Sequence, residues 1–195
     1  MGNREDLLRG ARRCLAERGW ANSTVRDIAA ASGGVSHAAI FYHFGSREAL
    51  LTAALVESIE ERLATFQEAI AQSTATDTAT QFRMLWDQFA DSFDSERGVW
   101  LAHFEAVLQA QHSDLLRRRL TDNQLAGRKG GVAWLTGVEP GDGDPVVRSV
   151  GSVYLALIAG VAWQYLVDPE TAPRPADIVD GVRALAALVD DRAGA

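Results

Sequence analysis

The stretch TVRDIAAASGGVSHAAIFYHFGSREAL, Thr24 to Leu50, decides how this chain is read. Thr24 followed by Asp27 has the form of a capping box, in which each residue accepts the other's backbone N–H, so a helix starts there. It carries Ile28 inward and stops at Gly33-Gly34, where the chain must turn. Ser36 caps a third helix over His37 to His43. Gly45 ends that helix, and Ser46 caps a fourth. Two short helices joined by a glycine turn and braced by a neighbour are the layout of a helix-turn-helix. In that layout one helix enters the major groove while the preceding one crosses the backbone.

The same 3.6-residue periodicity extends outward in both directions. Upstream, Leu7, Leu8, Ala11, Cys14 and Leu15 mark one face of a first helix that Gly19 terminates. Downstream, the fourth helix covers about 47–72, with Leu50, Leu51, Ala54, Leu55, Ile59, Leu63, Phe66 and Ile70 on its inner side. Polar residues 73–80 form a connector. A fifth helix presents Phe82, Leu85, Trp86, Phe89 and Phe93. A sixth covers about 96–111, and a seventh about 114–135, with Gly127, Gly130 and Gly131 weakening its middle. Asp144-Pro145, a cap followed by proline at the first helical position, opens an eighth helix reaching about Val167. A ninth covers about 175–191. The expected fold is all-α with about nine helices: a helix-turn-helix domain over 1–46 and a larger helical domain over 47–195.

Composition bounds the function. Of 195 residues, 47% are hydrophobic and 23% charged, an ordinary globular balance. No run of about 18 apolar residues stands out, so no membrane span is expected. The charged N-terminus lacks the apolar centre of a secretory signal. A single cysteine, Cys14, rules out an intramolecular disulfide and a cysteine-based zinc cluster. These features point to a cytoplasmic protein. The net charge is −7, but it is unevenly placed. The first fifty residues hold seven arginines (Arg4, Arg9, Arg12, Arg13, Arg18, Arg26, Arg47) against five acids (Glu5, Asp6, Glu17, Asp27, Glu48), so the acidic excess lies wholly beyond them. Enzyme motifs are missing: no nucleophile elbow, phosphate loop or metal spacing occurs, and His37, His43, His103 and His112 make no i,i+4 pair. No catalytic residue, metal or cofactor is expected.

Thr24 to Ala29, then Gly34-Val35-Ser36, then Ile40 to Leu50 closely resemble the N-terminal signature of the TetR family of transcriptional regulators. The resemblance covers about Leu7 to Leu51. It implies a homodimer that binds a two-fold operator in duplex DNA and is released from it by a small apolar or aromatic ligand. The chain departs from the family pattern by a second glycine in the turn. Ala38, Ala39 and Phe41 also stand where the family often has a small residue, a threonine and a tyrosine.

The expected DNA-facing set is Thr24, Arg26, Ser36, His37, Ala38, Phe41, Tyr42, His43 and Arg47. Arg26 can reach a guanine edge or a phosphate. Backbone N–H groups of Ser36, His37 and Ala38 open the recognition helix toward phosphate, and His37 can donate to a base. Tyr42 and His43 can touch backbone or bases. Phe41 fits either a thymine methyl or the core. Arg47 resembles the family's phosphate-binding basic residue. Ile28, Val35, Ile40 and Phe44 read as core.

In the larger domain, Trp86, Phe89, Phe93, Trp100, His103, Phe104 and Trp134 suit an apolar ligand cavity between helices. The eighth and ninth helices are expected to form a four-helix dimer interface through Val150, Tyr154, Leu157, Ile158, Val182, Leu185 and Val189. The alternative reading is a helical protein-interaction adaptor without DNA binding; an enzyme ranks lower still.

Overall fold

The computed structural model describes residues 3–71 and 77–193, and the described residues are helical without strands. In chain order the helices are α1 (Asn3–Asn22), α2 (Val25–Ala31), α3 (His37–Phe44), α4 (Arg47–Ala71), α5 (Thr78–Ser95), α6 (Arg97–Gln109), α7 (Asp114–Thr136), α8 (Pro145–Arg148), α9 (Val150–Val167) and α10 (Pro175–Ala193). The expected eighth helix is two. Asp144 caps the four-residue α8, and the chain breaks at Ser149 before α9 begins. The seventh helix runs unbroken through its three glycines. Most of the expected connector after α4, and the side chains of Leu63, Phe66 and Ile70, lie outside the described residues.

Two compact units emerge, and they do not follow the expected boundary at residue 46. One comprises Met1–Leu63 and Glu96–Leu155; the other comprises Ala64–Ser95 and Ala156–Ala195. The chain therefore passes between units within α4 and within α9.

The first unit is built around α1. Leu7, Leu8, Ala11, Cys14 and Leu15 are buried, as their spacing predicts, together with Ile28, Ile40, Leu50, Leu51, Ala54 and Leu55 from α2, α3 and α4. Burial pushes the Cys14 thiol up from its ordinary range, which keeps it protonated. Helix α6 meets α1 through a row of small residues, Gly98, Ala102, Ala106 and Ala110, spaced four apart. A Cβ on Gly98 would lie 1.8 Å from the Ala16 carbonyl oxygen, so only glycine permits this approach. Arg12 ties α1 to α4 through Glu57 at 3.2 Å and Glu61 at 2.5 Å.

In the second unit, Leu85, Trp86, Phe89 and Phe93 of α5 are buried, and Phe93 lies 5.0 Å from the Tyr165 ring of α9. Helix α10 packs on α5 and buries Ile178. Segment Pro145–Val167 is long and apolar enough by length and composition alone to cross a bilayer, yet Arg148, Ser149, Ser152 and Gln164 interrupt it, so it is not the unbroken apolar run of a span. A third of that segment is buried in the chain itself, which accounts for part of its apolar character.

Candidate nucleic-acid interface

The helix-turn-helix is held by local hydrogen bonds that its sequence encodes. Thr24 and Asp27 form the expected capping box, with both backbone N–H groups bonded at 3.2 Å. The Thr24 hydroxyl donates to Asp27 at 2.5 Å. That bond, helped by Arg18 at 3.3 Å, holds the Asp27 carboxyl below the usual carboxylate range. Thr24 was expected to face DNA, but its only hydroxyl proton is committed to Asp27. It is the cap of α2, with no donor left for a phosphate.

The doubled glycine resolves into a defined helix end. Gly34 donates to the Ala29 carbonyl at 3.1 Å and Gly33 to Ala30 at 3.3 Å, the paired bonds of a Schellman motif. Both glycines have φ near +80°, a region closed to most side chains. Gly33 is thus the ordinary terminator, and Gly34 is a second left-handed residue that turns the chain into Val35. Ser36 then caps α3 by accepting from Ala39 at 3.3 Å.

Helix α3 divides into two faces. Ile40 is fully buried, with Ala39 and Phe44 packed against the same core. The Arg4 guanidinium lies 5.5 Å from the centre of the Phe44 ring. On the other side His37, Ala38, Phe41, Tyr42 and His43 are exposed, Phe41 at 54% and Tyr42 at 85%. Phe41 is therefore a surface residue and not core. Tyr42 and His43 meet edge to face at 4.9 Å. Arg26 is exposed near the start of α2. An open polar cleft of about 610 Å³ beside the turn is lined by Asn3, Asp6, Arg9 and Arg13 of α1 and by 30–35. The sequence reading had not assigned Arg9 and Arg13 to this side.

Arg47 corrects the sequence expectation most sharply. Its side chain turns inward. Nε donates to the Ser23 carbonyl and Nη2 to the Trp20 carbonyl, both at 2.5 Å, with Ala21 at 3.3 Å. Gly19, with φ of 76°, has already broken α1, and the backbone N–H that still reaches the Trp20 carbonyl is that of Ser23, in a turn bond of 3.5 Å. A cation at a helix C-terminus is also favoured by the helix dipole. Arg47 braces the α1–α2 loop instead of reaching outward for phosphate. The opposite side of that loop is met by Glu105 of α6, a residue the sequence reading passed over. Its Oε2 accepts from the N–H of Trp20 at 2.5 Å and of Ala21 at 3.4 Å.

The residues expected to line a ligand cavity fall into separate groups. Trp86, Phe89 and Phe93 form one buried ring cluster on α5, with centroids 5.6 and 6.2 Å apart. Trp100, His103 and Phe104 lie on α6 in the other unit, where Trp134 of α7 sits 6.2 Å from Tyr154. In the expected dimer interface, Val150, Leu185 and Val189 are exposed, and Leu157 and Val182 are half-buried. Tyr154 and Ile158 are instead buried against their own chain, so the outer stripe of α9 runs through Val150, Val153, Trp163 and Val167.

Residues 7–54 match the model of the family described as bacterial regulatory proteins, tetR family. Over 125 residues the chain is 41% identical to the HTH-type transcriptional repressor AcnR of Corynebacterium efficiens, a match covering 64% of this chain and 59% of the relative. Over 131 residues it is 33% identical to the HTH-type transcriptional repressor Rv1474c of Mycobacterium tuberculosis, covering 63% of this chain and 68% of that protein. The fold is similar to the crystal structure of a transcriptional regulator from Rhodococcus sp. Rha1, with a TM-score of 0.65, 19% identity and coverage of 91% and 90% of the two chains. With its capped helix-turn-helix and these relatives together, the chain belongs to the tetR family of bacterial regulatory proteins.

Proposed function

We propose that this protein is a transcriptional repressor that binds operator DNA as a homodimer and is released by a small, largely apolar ligand. The observation that carries the reading is the outer face of α3, where His37, Ala38, Phe41 and Tyr42 lie side by side in solvent. An exposed aromatic patch on so short a helix needs an occupant, and the capped, braced geometry behind it suits a helix presented to the major groove. Arg26 and His43 flank that face as base or backbone donors. Residues 1–46 would supply DNA contacts, and 47–195 the ligand and dimer functions. Such a protein works beside the genome, in the cytoplasm.

Two features support the rest of the reading. Exposed apolar side chains on α10 (Leu185, Leu188, Val189) and on α9 (Val150, Val153, Val167) suit a second copy of the chain. In the α5 cluster, the Trp86 indole N–H is buried without a hydrogen-bond partner among the described residues. A ligand acceptor would meet it there.

The test is selection of duplexes from a random pool by the purified protein, followed by a salt series. The proposal expects a two-fold symmetric sequence, read by the two recognition helices, and binding that weakens as salt rises. An adaptor would enrich no sequence and show no such salt dependence.

A further inference from the structure

We infer that Glu105, on α6, is a positioning residue for DNA binding: its carboxylate holds the α1–α2 loop in the one conformation from which Arg47 can close the helix-turn-helix. The inference rests on the DNA-binding reading above and names residues outside the groove as part of it.

The loop is Gly19–Ser23, and its polar groups are met by opposite charges from two helices far apart in sequence. The anion of Glu105 takes the N–H groups of Trp20 and Ala21. The cation of Arg47 takes the carbonyls of Trp20 and Ser23. Each charge meets the backbone polarity it complements, which makes both contacts charge-assisted. The Ser23 hydroxyl closes the loop on itself by donating to the Gly19 carbonyl at 2.6 Å, and the Trp20 ring is buried.

The placement of the two side chains gives the loop its consequence. Ser23 directly precedes the Thr24 cap, so the loop's position sets where α2 starts. Arg47 opens α4 three residues after α3 ends at Phe44, so its grip ties the exit of α3 to the entry of α2. Glu105 joins that closed circuit to α6. At the other end of α6, Gly98 lies against the α1 backbone at Ala16, so the helix is fastened to α1 at two points. A shift of α6 along α1 would then pull on Trp20 and Ala21, and through them on α2 and α3. Gly19 leaves room for this contact, since a Cβ there would fall 2.8 Å from Glu105 Oε1.

The test compares wild type, Glu105→Ala, Glu105→Gln, Arg47→Ala and Glu105→Ala/Arg47→Ala. The readouts are affinity for the duplex that wild type enriches, salt dependence, thermal unfolding, and amide exchange at Trp20 and Ala21. In Glu105→Ala, affinity per folded molecule should fall about tenfold, the scale of one lost charge-assisted bond pair. The salt slope should stay the same, because no phosphate contact is lost. Both amides should exchange faster. Glu105→Gln keeps an acceptor oxygen and should recover most of the affinity. The double variant should lose less than the product of the single losses, because both side chains hold one loop. Full affinity in Glu105→Ala with faster exchange would mean that the contact exists but positions nothing. Unchanged exchange would mean that no such hold operates. If Glu105→Ala does not fold, Glu105→Gln carries the test: affinity lost as completely as in Arg47→Ala, with a native unfolding profile, would overturn the acceptor role. Wild type that enriches no duplex would sink the DNA-binding reading itself, a result distinct from either of these.

Discussion

The outer face of α3 and the loop behind it lie close together in the chain but are built on opposite principles. On the α3 face, side chains from neighbouring positions point into solvent, and Phe41 and Tyr42 are largely exposed. In the loop, the charged contacts come from a distance: Arg47 is 24 and 27 residues from the carbonyls it holds, and Glu105 is 84 and 85 from its amides. One region is left open to solvent and the other is held by the chain itself. An arginine in either region carries the same charge, but only its surroundings decide whether it reads DNA or holds the protein together.

Breaking the brace at its tightest point should have the largest effect. Gly98→Val places carbon against the Ala16 carbonyl, and overpacking of this kind costs about 3 kcal/mol. Chemical denaturation should show the loss, and because α6 is displaced at one of its two attachments to α1, DNA affinity per folded molecule should fall as well. An unaltered midpoint would mean that α6 and α1 are not in contact at that point.

Arg47→Ala should destabilise by about 2 kcal/mol, the range for hydrogen bonds to a charged group. It should weaken every duplex alike and leave the salt slope unchanged. A slope reduced by about one per subunit would instead return Arg47 to phosphate. Arg26→Ala sharpens the comparison from the other side. Its unfolding should match wild type, while binding weakens by about 1.5 kcal/mol and sequence preference relaxes at one position per half-site. Loss of stability without loss of preference would place Arg26 with the brace.

The smallest effect is expected at Thr24→Ala, about 1 kcal/mol of helix capping at neutral pH. Its pH dependence has a definite sign. The folded Asp27 carboxyl titrates below its ordinary value of 3.8, chiefly through the Thr24 hydrogen bond. The stabilisation is therefore complete above that ordinary value and fades as pH falls through the lower folded one. The gap between wild type and variant should narrow as pH falls below 3.8, down to the share supplied by the Thr24 oxygen that accepts the Asp27 N–H. A gap of constant size across that fall would mean that the carboxylate plays no part in the cap.

Much of this protein was legible without coordinates because it is local. Capping boxes, glycine stops and 3.6-residue spacing act within a few residues, so α1 through α7 and α10 lie close to where the pattern placed them. The buried face of α1 and the exposed positions His37, Ala38 and Tyr42 follow from the same periodicity. Where the pattern was nearly apolar all round, as in α9, it failed to choose a face: Tyr154 and Ile158 turned inward while Val153 and Val167 turned out. The break at Ser149 falls among Val146, Val147, Val150 and Gly151, none of them a strong helix former, but the apolar pattern runs on across it.

The amino-acid order by itself determined the helices, their caps, the turn and the family signature, since each depends on side chains reaching their own or the next turn of backbone. Only the tertiary structure decided what Arg47 and Glu105 do. A charged residue at a helix start or on a half-buried face has no periodic signature that tells solvent from a backbone carbonyl twenty or eighty residues away. That choice is made when α1 breaks at Gly19 and the backbone of Trp20 to Ser23 departs from the regular helix. Packing of α4 and α6 against α1 then brings one cation and one anion to meet them.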